Sequence, residues 1–287
     1  MTSLLARVKS QRCSRHFDRN EQLIPGTSRL LGWRSFYWSI FALGASIVAP
    51  VFADTPYVVA RIKPSVVIVG TFRPTDNPRF RLRGTGFVAG SGNTVVTNAH
   101  VLPDAAEPLD GLSLVVQVRG PDQALSMRQA VVLELDRLHD LALLRFEGAP
   151  APVVVIRDSD TVREGQSVAF MGFPIGGLLG FAPVTHRGMV SSITPAVLPA
   201  PTGRQLSEAA IRGARAGSFD IFQLDGTAYP GNSGGPLFDP DNGEVVGVVN
   251  MVLIKGTRES ALAQPSGISY AIPSKYVSQL LQRAGIK

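Results

Sequence analysis

Past residue 53 the chain is a succession of short valine- and isoleucine-rich runs, each broken by Gly, Pro, Asn or Asp after roughly ten residues, the rhythm of an all-β protein. SVVIVGTF (65–72), GTGFVAG (84–90), TVVTNAHV (94–101), LSLVVQVRG (112–120), AVVLEL (130–135), LALLRF (141–146) and APVVVI (151–156) read as a first set of strands. QSVAFMGFP (166–174), GMVSSI (188–193), FDIFQLD (219–225), GPLF (235–238), EVVGVVNMVLI (244–254) and GISYAI (267–272) form a second. The break near 147–157 predicts two successive six-stranded antiparallel β-barrels, the first over 60–150 and the second over 151–272. A terminal helix is predicted over 274–284, with Ser274 after Pro273 as N-cap and Val277, Leu280 and Leu281 at helical spacing.

Three stretches lack a strand pattern. Residues 73–83 alternate Arg79, Arg81 and Arg83 with Phe80 and Leu82, residues 102–111 are rich in Pro, Ala and Asp, and residues 195–217 form a long, basic, small-residue-rich insertion. All three are expected to be loops, the last with one short helix.

Ahead of this domain, FYWSIFALGASIVAPVFA (36–53) is apolar throughout, follows a basic stretch and ends in Val51-Phe52-Ala53, a small-x-small pattern before Asp54. That order argues against a buried helix of the domain. Two readings stay open, a signal peptide cleaved after Ala53 or a retained membrane anchor, and both export the rest of the chain. A membrane partner is expected only in the second case; the bacterial periplasm is the expected compartment, with an anchored or a secreted form as alternatives.

The net charge of +6 invites a nucleic-acid partner until its distribution is read. Residues 1–53 hold seven basic side chains (Arg7, Lys9, Arg12, Arg15, Arg19, Arg29, Arg34) against Asp18 and Glu21, which leaves 21 of the 28 basic residues against 20 of the 22 acidic ones. The excess belongs to the targeting segment, and no nucleic-acid role is expected. Cys13 is the single cysteine and lies in that segment too, so the exported domain has neither a disulfide nor a thiol nucleophile.

Candidate chemistry centres on PGNSGGPL (230–237). Taken alone, GNSGG is either a Gly-rich turn or the frame of a nucleophilic Ser233. A serine hydroxyl reacts at neutral pH only beside a base that takes its proton, and that base needs an orienting group. Of the four histidines, His100 ends TVVTNAH at a strand edge, His139 sits beside an acid, His186 precedes the strand at 188, and His16 lies in the targeting segment. Asp140 precedes the apolar strand LALLRF and can point inward at the junction of loop and sheet; Asp136 is its competitor, expected to face solvent.

TNAHV (97–101), DLALLRF (140–146) and PGNSGGPL, in that order, resemble the His, Asp and Ser motifs of trypsin-like serine proteases of the HtrA (Deg) type. GTGFVAG, MGFP (171–174), HRGMVSSI (186–193), NGEVVGV (242–248) and GISYAIPSKYV (267–277) extend the resemblance over about 60–280. The resemblance implies the chymotrypsin-like double barrel, with His100, Asp140 and Ser233 as catalytic triad and the N–H groups of Gly231 and Ser233 as oxyanion hole. It places the substrate pocket near Thr227 and Asn250, Met251 and Val252; with no acid at Thr227, small or medium apolar side chains are expected at the cleaved position. Neither a cofactor nor a metal is implied. Polypeptide substrates are, and so is a homotrimer, for which residues 54–63, including Tyr57, are the candidate contact.

Two departures stand out. The family often carries C-terminal PDZ domains, which the chain is expected to lack, and often has Asn where Tyr229 precedes the Pro-Gly pair. No Ile-Val-Gly-Gly-like start offers activation by a new N-terminus. The expected function is an exported endopeptidase cleaving unfolded or damaged proteins through an acyl-enzyme. A conditionally latent peptide-binding or chaperone-like protein, and an esterase using the same triad, remain alternatives.

Overall fold

The computed structural model describes residues 55–103, 110–120, 122, 124–177, 180–196, 219–250 and 267–286, all within one compact unit, Pro50–Lys287. The targeting segment, nearly all of the 195–217 insertion, and Met251 and Val252 lie outside the described residues.

Twelve strands form two closed antiparallel barrels, as the apolar rhythm predicts. The first comprises β1 (Val66–Phe72), β2 (Phe80–Ala89), β3 (Thr94–Asn98), β4 (Ser113–Arg119), β5 (Leu125–Asp136) and β6 (Leu141–Phe146), in the order β1-β2-β3-β6-β5-β4. The second comprises β7 (Ser167–Gly172), β8 (Val184–Pro195), β9 (Asp220–Asp225), β10 (Pro236–Phe238), β11 (Val245–Asn250) and β12 (Ile268–Pro273), in the order β10-β11-β12-β9-β8-β7. Closure pairs every strand on both sides and leaves no edge exposed.

The runs are continuously apolar because both of their faces are buried. Along β1, Val67 and Val69 fill the first barrel's interior together with Val88, Val95, Val116, Leu144 and Phe146. The alternate residues Val66 and Ile68 face a separate cluster in which Phe87, Leu141 and Leu143 of the first barrel meet Met171, Phe173, Phe238 and Val248 of the second. Phe170, Phe222, Leu224, Leu237 and Val249 fill the second interior. A core of its own therefore binds the barrels together, and it is on this seam that the candidate site lies.

Two helices join that seam. In α1 (Thr55–Ile62) Val58 and Ile62 are buried, and in α2 (Ser274–Arg283) Val277, Leu280 and Leu281 are. The first was not apparent from the sequence: eight residues with a central Val-Val give too short a period, and packing decides. At α2 the cap position falls on Pro273, and the Ser274 hydroxyl donates instead to the Arg157 carbonyl at 2.5 Å, tying the helix to the connection between the barrels.

Two other expectations are corrected. Residues 151–156 make no ladder; they run extended as the inter-barrel connection, with one parallel bridge from Ile156 to Val245. The loop expected over 73–83 ends at residue 79, because Phe80 already pairs with Phe72 in the β1–β2 hairpin. Among the described residues no helix is long and apolar enough to cross a membrane.

Candidate active site

Strand β3 ends at Asn98 and passes into a tight 3-10 turn, Ala99–Val101, that carries His100. Arg83, from the stretch read as loop, sits in β2 and braces this turn: its Nε donates to Val101 O at 2.8 Å and its Nη2 to Leu102 O at 2.9 Å. Asp140 sits at the start of β6 with φ +51°, a left-handed conformation that costs a non-glycine residue energy and persists only where surroundings impose it. Here they do: the Asp140 carbonyl accepts from Ala99 N and from Asn98 Nδ2, both at 3.0 Å.

The same turn is bound by the carboxylate. Asp140 Oδ1 accepts from the His100 backbone N–H at 2.8 Å, and Oδ2 lies 2.6 Å from His100 Nδ1. A third donor comes from the other barrel, where Asn250 Nδ2, at the end of β11, reaches Oδ2 at 2.7 Å. Asn250, which the resemblance places in the substrate pocket, thus directs its side-chain amide to the acid.

Asp136 also departs from expectation. Rather than facing solvent it is 9% exposed. It accepts from His139 N (3.1 Å), His139 Nδ1 (2.9 Å) and Arg283 Nη2 of α2 (2.8 Å). Burial alone would raise this carboxyl, but the bonds from His139 and Arg283 outweigh it and hold its pKa below 3.8. The His139 ring stacks on Tyr276 of α2 at 3.9 Å, so the turn that presents Asp140 is pinned against the terminal helix.

Ser233 is 4% exposed and lies in a segment that docks on the first barrel. Thr85 N–H donates to Ser233 O at 2.8 Å, and the Thr85 hydroxyl donates to Gly231 O at 2.6 Å while accepting from Phe173 N at 3.0 Å. The approach is close enough to require glycine. A Cβ on Gly84 would lie 2.7 Å from Val101 Cγ2 and 2.9 Å from Ser233 O, which places the serine's backbone beside the residue that follows His100. A Cβ on Gly234, where φ is +85°, would meet Thr85 O at 2.1 Å.

Residues 229–232 form a type II turn, with Pro230 second, Gly231 third at φ +102°, and Asn232 N donating to Tyr229 O at 2.9 Å. The Pro230 carbonyl accepts from Ile175 N at 2.7 Å. A trans peptide points its N–H opposite to its C=O, so the Gly231 N–H faces away from Ile175. Ile175 itself has φ +59°, an outlier for a β-branched residue.

Of the predicted pocket residues, Thr227 is partly exposed, between Gly226 and Ala228. A single buried hydroxyl, Ser269 of β12, donates to Gly226 O at 2.6 Å and accepts from Ala228 N at 2.8 Å, bracketing that stretch. Nothing in the sequence singles out Ser269, whereas Thr85 lies inside GTGFVAG and could have been weighed there.

Two closed six-stranded barrels with a His–Asp pair and a GNSGG turn on the seam between them define a chymotrypsin-like fold. Residues 84–248 match the trypsin-like peptidase domain. The chain is 34% identical over 203 residues to a probable periplasmic serine endoprotease, DegP-like, of Marinomonas sp. (strain MWYL1), covering 70% of this chain and 35% of that protein. To the serine protease HTRA4 of Mus musculus it is 30% identical over 233 residues, 78% of this chain and 40% of the relative. It is similar in fold to the solved structure of the HtrA-type protease AlgW with decapeptide, at a TM-score of 0.57 and 21% identity, over 81% of this chain and 67% of that one. The chain belongs to the trypsin-like peptidases of the HtrA (Deg) type, and it spans between about a third and two fifths of the length of the curated relatives it matches.

Proposed function

We propose that the chain is an exported serine endopeptidase in which Ser233 is the nucleophile, His100 the general base and Asp140 the group that orients the base. The observation that carries this reading is the two-point attachment of His100 to one carboxylate, at 2.8 and 2.6 Å. An ionised carboxylate only accepts, so Nδ1 carries the proton and Nε2 keeps the lone pair a base needs.

In this mechanism Nε2 takes the Ser233 hydroxyl proton while Oγ bonds to the scissile carbonyl carbon. The carbonyl π pair moves onto oxygen, where the N–H groups of Gly231 and Ser233 receive it. The imidazolium then returns its proton to the leaving nitrogen as the C–N bond breaks, leaving an ester on Ser233. Water repeats the sequence on that ester, and Asp140 stays ionised throughout.

The substrate class is unfolded or damaged polypeptide, cut after small or medium apolar side chains. The likeness to HtrA-type proteases supports it, and the absence of an acid at Thr227 disfavours cleavage after Arg or Lys. The basic-then-apolar N-terminal sequence and the periplasmic name of the Marinomonas relative support export to the periplasm.

The test is a fluorophosphonate probe and unfolded casein applied to the full chain beside Ser233→Ala. Labelling and cleavage that both vanish in the variant are expected, a loss of at least roughly a thousandfold in rate. Cleavage that survives the substitution would overturn the assignment, and a wild-type protein that neither labels nor cleaves would point to a latent peptide-binding protein.

A further inference from the structure

His186 took no part in the assignment above, yet its ring reaches the segment that would bind the oxyanion. On β8 it lies across from Phe170 of β7, with the two rings stacked at 4.8 Å and 16° between planes. Tyr229, the residue that opens the type II turn, flanks it with ring centroids 6.2 Å apart. Its Nε2 stands 3.5 Å from the side-chain amide of Asn232.

Asn232 is the residue between Gly231 and Ser233, and it is fully buried. Its Oδ1 has no hydrogen-bond partner, although a buried amide oxygen left unpaired costs about 1–3 kcal/mol. The two ends of an amide are nearly equal in shape, and which end points where is settled by the partners available. Turning the amide about its last bond brings Oδ1 to the His186 side, where Nε2–H donates to it. A neutral imidazole can carry its proton on Nε2, and burial lowers the pKa of His186, favouring that neutral form.

Resting on the reading of Ser233 and Gly231 given above, we propose that His186 is a positioning residue for the oxyanion hole, its Nε2–H holding Asn232 Oδ1 and thereby the backbone on either side of Asn232. The geometry gives this bond its leverage. On one side Ile175 N–H holds Pro230 O, and on the other Gly235 N–H holds Asn232 O at 3.0 Å. Thr85 adds its hydroxyl to Gly231 O and its N–H to Ser233 O, and the Asn232 side chain is a further handle, the one that acts on the residue between the two N–H groups. Fixed by His186, it keeps the Gly231 N–H and the Ser233 N–H convergent; released, the turn keeps only the bonds from Ile175, Thr85, Asn232 N–H and Gly235, and the spacing of the two N–H groups loosens. Phe170 and Tyr229 keep the imidazole at the depth the bond requires.

The experiment compares the full wild-type chain with His186→Ala, His186→Gln, Asn232→Ala and the His186→Ala/Asn232→Ala double variant. Readouts are kcat and KM on an apolar peptide ester, and affinity for a peptide aldehyde, whose adduct with serine carries the oxyanion. His186→Ala is expected to lower kcat on the order of tenfold to a hundredfold and to weaken the aldehyde by a similar factor, with KM within about twofold. His186→Gln, which can still donate to Oδ1, restores most of the loss. In the double variant the two losses overlap rather than multiply. Wild-type kcat in His186→Ala, or multiplying losses in the double variant, would overturn the inference. Should His186→Ala not fold, the aldehyde affinity of His186→Gln decides alone, near wild type if the bond matters and a hundredfold weaker if only the ring does. Ser233-dependent labelling that persists while His186 proves indifferent would sink this inference and leave the peptidase reading standing; loss of Ser233 dependence sinks both.

Discussion

The Asp140 carboxylate draws three donors from two barrels, and Asn250 supplies the one that the first barrel does not. Because Nδ2 reaches the oxygen that also faces His100 Nδ1, it limits how far the carboxylate can swing away from the imidazole. Asn250→Ala is expected to lower kcat on the order of tenfold with KM nearly unchanged, since a hydrogen bond to a charged group is worth about 1.5–3 kcal/mol and water replaces part of it. Steady-state kinetics on one peptide decide it: a variant with wild-type kcat shows that the bond is idle. The pairing of His100 with Asp140 and the docking of the Ser233 segment on the same seam were legible because their motifs combine chemistry with a local backbone requirement. Asn250 was not, because its partner lies 110 positions away and strand alternation says which face a side chain is on, not what it meets there. Asp136 was misjudged for the same reason: Arg283, 147 positions later, comes back to cover it.

At the level of elements, the strands were visible in outline because an apolar run bounded by turn residues has few other uses. What escaped was whatever packing alone decides. Helix α1 exists because Val58 and Ile62 complete the cluster between the barrels, and residues 151–156 are barred from a ladder because both barrels close without them. Helix α2 does more than cover the core. Through Arg283 and Tyr276 it grips Asp136 and His139, the first and fourth residues of the turn that ends in Asp140. Arg283→Ala should destabilise the fold by about 1 kcal/mol, a moderate figure because the guanidinium is 46% exposed and screened by water. It should also lower kcat a fewfold by loosening that turn. Thermal melting and kinetics on the same sample test both; unchanged values in each would mean that the helix merely packs.

For the molecule as a whole, two groups that titrate on the acid side, His186 and Asp136, make acid the direction of weakness. His186 has its pKa lowered by burial, so the unfolded chain binds that proton more readily, and stability falls as pH drops below 6.5 toward the folded value. Asp136 is held below 3.8, so its contribution is present above that pH and is lost as pH falls from 3.8 through the lower folded value. Melting temperature should therefore decline in two windows on acidification, and His186→Gln should flatten the upper one. Melting curves from pH 8 to 3 at fixed ionic strength check the sign; a melting temperature that rises as pH falls below 6.5 would contradict it.

The distribution of the site between the barrels also bears on timing. His100 and Asp140 are both complete once β6 has formed, but Ser233 follows 93 residues after Asp140, and β12, the strand that joins β11 to β9, follows later still. A chain that emerges N-terminus first thus carries its proposed base long before its proposed nucleophile. Asn250 cannot reach Asp140 until the second barrel has docked. On the proposed reading the seam would serve as an assembly checkpoint: the half-made protein lacks a complete triad, and reactivity would arrive only with the last strand.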